Sequence, residues 1–444
     1  MIVEDFANFA VASRARPLPV STEAAAVRAV VDWFAATAAG ATSPAAVALR
    51  EALVEEVSSG SSRLVGDPRS VDASTAALVN GTAAHAVEFD DIYRDGIYHP
   101  GAPTVAAALA AGQRIDRSGA DLLRAVAVGY EIGDHIAETV NPAHYRYWHT
   151  TATVGAIGAA AAVAEILELD EGRFAHALAI ATTMAAGLQQ SFRSDAMAKP
   201  LHAGHAAQTG ITAGFGASRG FTGALDVLEG ESGFGAAMAE SPEWSPAVSS
   251  LGSPWLIESA TVKVHSCCGH TFAAIDAMLE LRRSGLDPDR IARIDIATYD
   301  VAVRVAGIEQ PVTASEARFS IAYVVAAALL RGSVLLRAFE PEALVDPEIR
   351  RLVNLTTRTV HPDYEARFPH QRAARVTVTC DDGTEFVSER LTRRGDPDDP
   401  LTDEELAGKF TELATPLYGT ARTTELSGQV WGIAEAKSLR SLAL

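Results

Sequence analysis

The sequence predicts a mostly α protein: a large all-helical domain carrying a smaller, inserted α+β lid domain. Alanine-rich apolar periodicity with brief breaks fills the chain up to about residue 255. The pattern then changes near Pro254, and period-two alternation appears at Arg293–Tyr299, Ala374–Thr379 and Thr384–Leu391. After Gly395-Asp-Pro the chain reads as helix again. The expected divisions are 1–256 helical, 257–397 α+β, and 398–444 as helices returning to the first domain.

Taken in order, Ser21 precedes a helix over Thr22–Ala39 that stops at Gly40. Ser43-Pro44 opens the next, with proline at its tolerated first-turn position. Further helices are predicted over 72–91, 103–114, 119–139, 150–167, 171–187 and 203–218. Their short connections imply antiparallel neighbours packed as a bundle. In the second part, helices over 271–284, 316–331 and 341–353 alternate with the strands. Asp381-Asp382-Gly383 supplies a hairpin turn between two of those strands.

A chain of 444 residues with 48% hydrophobic and 21% charged residues has ample core for two domains. The formal charge of −19 argues against a nucleic-acid partner, since phosphate binding wants a basic face. Cys267, Cys268 and Cys380 form no even disulfide framework, and two are adjacent, which points to a reducing cytoplasm. No secretory signal opens the chain, and the uncharged Thr150–Ala164 stretch is too short for a membrane span.

Lysine is scarce. Only Lys199, Lys263, Lys409 and Lys437 occur among 37 Lys+Arg. Where arginine serves for any exposed cation, a retained lysine suggests a need for a compact charge or a transferable proton. Lys199 and Lys263 lie in segments dense in proton-handling groups, Lys199-Pro-Leu-His202-Ala-Gly-His205 and Lys263-Val-His265-Ser-Cys267-Cys268-Gly-His270. Lys409 and Lys437 read as surface residues of the polar C-terminal helices.

Gly216-Ala-Ser-Arg-Gly220 has a hydrolase-elbow spacing but ends a helix rather than joining a strand to one. Gly408-Lys409 lacks the rest of a phosphate loop, and no dinucleotide fingerprint follows a strand. Histidines and cysteines abound near the two lysines, yet no CxxC pair or HExxH occurs, so no metal is expected. Three further segments carry candidate chemistry. His85-Ala-Val-Glu-Phe-Asp-Asp91 runs on to His99-Pro, where the histidine before proline is pushed into an extended turn. His149 precedes an alanine-rich helix whose amide donors suit an anion. Ser320 and Tyr323 open an apolar helix.

These stretches resemble the MmgE/PrpD family, which includes dehydratases, decarboxylases and epimerases of small carboxylates. The similarity rests on Asn80-Gly-Thr-Ala-Ala-His through Asp91, His99-Pro, His149-Thr-Thr-Ala-Thr-Val-Gly, Lys199-Pro-Leu-His-Ala-Gly, Lys263 to Thr271, and Arg318-Phe-Ser with Tyr323. It covers nearly the whole chain in order. The resemblance implies a helical body with an α+β lid, an active site between them, a homodimer and no cofactor. Its active-site pattern falls on Asp91, His99, His149, Lys199, Lys263 and Tyr323. The chain departs from the pattern with Cys268 and nearby His270 where a histidine is usual, and with Gly101 in place of serine.

The reactions of such a family all place carbanion-like charge beside a carboxylate, so they need cations, a base and an acid. On this reading His99 and His149 form the acid/base pair and Asp91 orients one of them. Lys199 and Lys263 clamp carboxylates, and Tyr323 delivers a proton. Arg94, His202, Cys268 and His270 complete the substrate contacts. The expected activity is a cofactor-independent lyase acting on a small di- or tricarboxylate. An epimerase using the same groups, and a non-catalytic helical binding protein, are the alternatives.

Overall fold

A computed structural model describes residues 1–54, 60–192 and 196–442, which are mostly helical and divide into two compact units. Unit 1 comprises Met1–Ala260 with Thr402–Leu444, and unit 2 comprises Thr261–Leu401.

Unit 1 opens with helices α1 (Ile2–Ser13), α2 (Val20–Gly40) and α3 (Pro44–Val54). Then follow α4 (Ala73–Ala86), α5 (Gly101–Ile115), α6 (Gly119–Val140), α7 (Thr150–Ile166), α8 (Glu171–Thr183) and α9 (Ala198–Ser218). Local chemistry fixes several starts. Asp72 accepts from the amides of Ser74 and Thr75, and Ser118 with Asp121 closes a capping box. Every residue of α7 is buried, and α5, α6, α8 and α9 pack around it. A helix apolar on all sides is the one that belongs at the centre.

Small residues let these helices approach closely. Where α4 crosses α9, a Cβ on Gly204 would lie 2.2 Å from the Leu78 carbonyl oxygen. That crossing brings the end of α4 against the start of α9, which carry His85 and Lys199.

The predicted helix over 72–91 stops five residues early, at Ala86, and its acids lie on the turn beyond it. Conversely α9 begins at Ala198 rather than 203. Among the described residues no single helix is long and apolar enough to cross a membrane.

Unit 2 holds helix α10 (Phe272–Arg283), strand β1 (Ile291–Thr298), and helices α11 (Ala314–Arg318), α12 (Ile321–Arg331) and α13 (Pro347–Asn354). Strands β2 (Thr356–Val360), β3 (Ala374–Cys380) and β4 (Glu385–Arg390) complete its sheet, in the order β2-β1-β3-β4. β1 runs parallel to β2 and antiparallel to β3, which pairs antiparallel with β4. Alternate residues Ile294, Ile296, Val376 and Val378 turn inward against Phe272, Met278 and Ile321. The edge strand β2, Thr-Thr-Arg-Thr-Val, carries no apolar alternation, so its sequence gave no strand signal. The predicted helix over 316–331 is two helices, because Ser320 leaves helical geometry and caps α12 through its hydroxyl.

Two further helices, α14 (Asp403–Tyr418) and α15 (Thr420–Trp431), belong to unit 1. Thr402 and Glu405 form a capping box at the start of α14. Lys409 in α14 was expected at the surface, yet it is only 8% exposed. Its ammonium donates to Asp32 of α2 at 2.6 Å and to the Phe89 carbonyl at 2.8 Å. It also lies 4.3 Å from the Phe89 ring centroid. The helix reads as polar, but its single cation is spent inside the fold.

Replacing Lys409 with methionine strips buried Asp32 of this ion-pair partner. Losing one member of a buried pair costs about 3–5 kcal/mol. Urea unfolding of Lys409→Met should show a loss of that size, and an unchanged midpoint would contradict the anchoring role.

Candidate active site

The site is built on the turn that follows α4. Glu88 has φ 56, a left-handed conformation that costs a non-glycine residue about 1–2 kcal/mol. Its carboxylate pairs with the ammonium of Lys199 in the first turn of α9. A cation there opposes the helix macrodipole, and Glu88 offsets that penalty. Both side chains are under a tenth exposed, so the pair is shielded from water.

Asp90, 1% exposed, lies between two imidazoles. Its Oδ2 accepts from His85 Nδ1 at 2.7 Å and sits 3.2 Å from Nδ1 of His99. Burial alone would raise Asp90, but His85 and His99 together hold it well below the usual carboxylate range. Burial pushes His85 well below the ordinary histidine value, against the pull of Asp90. A neutral His85 donating from Nδ1 leaves its lone pair on Nε2, which is buried and makes no hydrogen bond. The His99 amide donates to Thr151 at 3.2 Å, which ties this histidine to the first turn of α7.

His149 is the N-cap of α7, and its amide donates to the Gly187 carbonyl at 3.0 Å. Its ring stacks on His85 at 5.4 Å between centroids, and its Nδ1 lies 3.0 Å from Nδ1 of His202. His85 meets His99 edge-on at 4.8 Å. Burial pushes His149 well below the ordinary value, with His85 adding to the effect. Burial and then the Lys199 charge take His202 down to about 4. Four imidazoles from α4, α7, α9 and the loop before α5 therefore form one contiguous, mostly neutral group. His85, Asp90 and His99 also offer three donor atoms within 4.8 Å of one another, a set that could hold a metal ion. The 2.7 and 3.2 Å separations are hydrogen-bond distances, so the arrangement equally suits a shared proton.

Asp91 does not take the place expected of it. Its carboxylate accepts from Tyr130 at 2.6 Å and from the Gly101 amide at 3.0 Å, facing away from the histidines. Burial and then the Asp32 charge raise it to about 8. The acid beside the histidines is its neighbour Asp90, because the turn after Ala86 sends the two carboxylates in different directions. Gly101 belongs to the same arrangement, since a Cβ there would lie 2.5 Å from Asp91 Oδ1. Arg94 is half-buried and 3.2 Å from Asp95. Sequence reasoning missed His85, Glu88 and Asp90, although all three lie in the segment it singled out.

In unit 2, Lys263 is fully buried. Cys268 is 6% exposed and its amide donates to the Arg318 carbonyl at 3.0 Å. His270 Nδ1 lies 2.7 Å from the Tyr299 hydroxyl. Burial lifts the Cys267 thiol to about 12. Tyr323 departs from expectation. It is fully buried in the core of unit 2, and its hydroxyl donates to the Ala338 carbonyl at 2.7 Å. Burial raises its phenol to about 12, so the hydroxyl stays protonated at neutral pH.

Unit 1 thus gathers four imidazoles, a shared carboxylate and a buried lysine. Comparison with known sequences makes the class definite. Residues 4–247 match the MmgE/PrpD N-terminal domain, and residues 265–432 match the MmgE/PrpD C-terminal domain. The chain belongs to the MmgE/PrpD family and is a lyase. It is 33% identical to cis-aconitate decarboxylase of Homo sapiens, over 77% of this chain and 73% of that protein. It is 27% identical to the cis-aconitate decarboxylase-like protein oryM of Aspergillus oryzae, over 99% of this chain and 96% of that protein. Cis-aconitate decarboxylase of Aspergillus terreus is 25% identical over 91% and 87% of the two chains.

Two outcomes test these assignments. Tyr323→Phe should lower the unfolding free energy by about 1 kcal/mol. Its turnover should stay within about threefold, whereas loss of a proton donor costs about 10²-fold or more. Second, His85 and His149 resist protonation in the fold, so the unfolded chain binds more protons below about pH 6.5. Stability should therefore fall as pH drops through that value, and His85→Gln should make the slope shallower in pH-dependent urea titrations.

Proposed function

We propose that this lyase removes a carboxyl group from a small unsaturated di- or tricarboxylate by acid/base chemistry, with cis-aconitate as the first substrate to try. The observation that carries the reading is the shared Asp90 carboxylate between His85 and His99, with His149 stacked behind. The relatives named as cis-aconitate decarboxylases support the choice of substrate.

His99, its side chain 16% exposed, and His202 are the half-buried members of the group, whereas His85 and His149 are buried. In the proposed step the bond to the departing carboxylate breaks and its electron pair stays on the substrate carbon skeleton. Carbon dioxide leaves. An imidazole N–H of His99 or His149 then supplies the proton that forms the new C–H bond, and solvent restores it. Asp90 stabilises the charged imidazole during this exchange. Lys199 and Lys263 are the cations proposed to hold the remaining carboxylates, lowering the cost of the transient negative charge. In this scheme Arg94, His202, Cys268 and His270 contact substrate.

Asp90→Asn keeps the shape of the turn but cannot stabilise an imidazolium. With cis-aconitate and related di- and tricarboxylates in deuterated water, followed by NMR, the wild-type chain should release carbon dioxide and incorporate one deuteron. Asp90→Asn and His99→Ala should each lose about 10²–10⁴-fold in turnover while remaining folded. Exchange of deuterium without loss of carbon dioxide or water would favour epimerisation instead. Near wild-type rates in both variants would remove this group from the chemistry.

A further inference from the structure

Unit 2 contains a guanidinium whose setting the chemistry above does not use. Arg318 is the last residue of α11, and its carbonyl is bound to the Cys268 amide, so it is fixed to the segment that carries Lys263. Its guanidinium carbon lies 4.8 Å from the centroid of the Phe339 ring. Its Nε is buried and makes no hydrogen bond. Among the described residues no carboxylate pairs with it. Two other shielded arginines of unit 2 do meet carboxylates. Arg393, fully buried, forks onto Asp396 at 2.6 and 3.0 Å, and Arg390 reaches Glu280 and Asp399. A half-buried guanidinium without an anion is costly unless a ligand supplies one.

A second observation points the same way. The charges of Lys263 and Arg318 both act to lower the Cys267 thiol against its burial, so the ammonium and the guanidinium both lie within electrostatic reach of Cys267. Burial takes Arg318 itself down to about 10, which leaves it cationic at neutral pH. The face of the guanidinium is covered by Phe339, and Phe339 is in turn held by Tyr323, whose ring centroid is 6.1 Å away. With its face covered, the group keeps its edge for a planar anion, the geometry that suits a two-point grip on a carboxylate.

We propose that Arg318 is a substrate-binding residue of unit 2 that holds one carboxylate of the substrate through its planar edge, beside Lys263. This assigns Tyr323 a positioning part, exerted through Phe339. The proposal rests on the reading that the enzyme acts on a small polycarboxylate.

Its test is calorimetric titration of the full chain with tricarballylate, a saturated tricarboxylate that cannot decarboxylate by the proposed route. Arg318→Met should weaken binding by about tenfold or more, as expected for one lost charge-assisted contact. Arg318→Lys, which keeps the charge and loses the fork, should fall between the two. In turnover assays Arg318→Lys should raise KM more than it lowers kcat. Circular dichroism and thermal unfolding check that each variant is folded, and if Arg318→Met is not, Arg318→Lys carries the test. Equal tricarballylate affinity in the wild type and a folded variant would overturn the assignment of Arg318 and leave the proposed activity standing. A wild-type chain that binds neither tricarballylate nor any other small polycarboxylate would overturn the proposed activity, and this assignment with it.

Discussion

Five consecutive residues, 87–91, hold the chemistry of unit 1 together. In this turn Glu88 reaches Lys199, the Phe89 carbonyl receives Lys409, Asp90 serves His85 and His99, and Asp91 receives Tyr130 and the Gly101 amide. Each contact belongs to a different helix or helix start. The turn is possible because α4 ends at Ala86 and Glu88 accepts positive φ. Backbone strain of this kind persists only where the surroundings over-determine it, and here the contacts of residues 88–91 do so.

The two units divide the electrostatics unevenly. Unit 1 collects neutral imidazoles around ionised Asp90, an arrangement in which a proton can move with little rearrangement. Unit 2 buries Lys263 and Arg393 and half-buries Arg318, so its interior is rich in cations although the chain carries a formal charge of −19. Overall charge argued against a nucleic-acid partner but said nothing about local fields, which decide the binding of a small anion.

Much of this was legible from residues alone. The alanine-rich periodicity marks the helices, and the alternating segments mark β1, β3 and β4 within a residue or two. Lysine scarcity drew attention to Lys199 and Lys263, which are both buried. It failed at Lys409, because a polar helix pattern does not show which cation will meet Asp32 more than 300 positions earlier. The choice between Asp90 and Asp91 was equally hidden. Adjacent carboxylates look alike in a sequence, and only the turn geometry separates one that meets imidazoles from one that meets a tyrosine. Tyr323 matched a family pattern, but its hydroxyl is committed to Ala338. His85 was passed over because a helical histidine in an apolar stretch looks like core, and its partner is a carboxylate set by tertiary structure.

The Lys409 contact has a consequence for how the protein is made. All four clustered histidines and Asp90 lie within the first 202 residues, whereas the ammonium beneath Phe89 arrives 207 residues after the last of them. A nascent chain released up to residue 400 has all four clustered histidines and Asp90 but lacks the cation that props the turn from below. The turn that holds the histidine cluster is therefore completed late in translation, after the whole of unit 2 has left the ribosome.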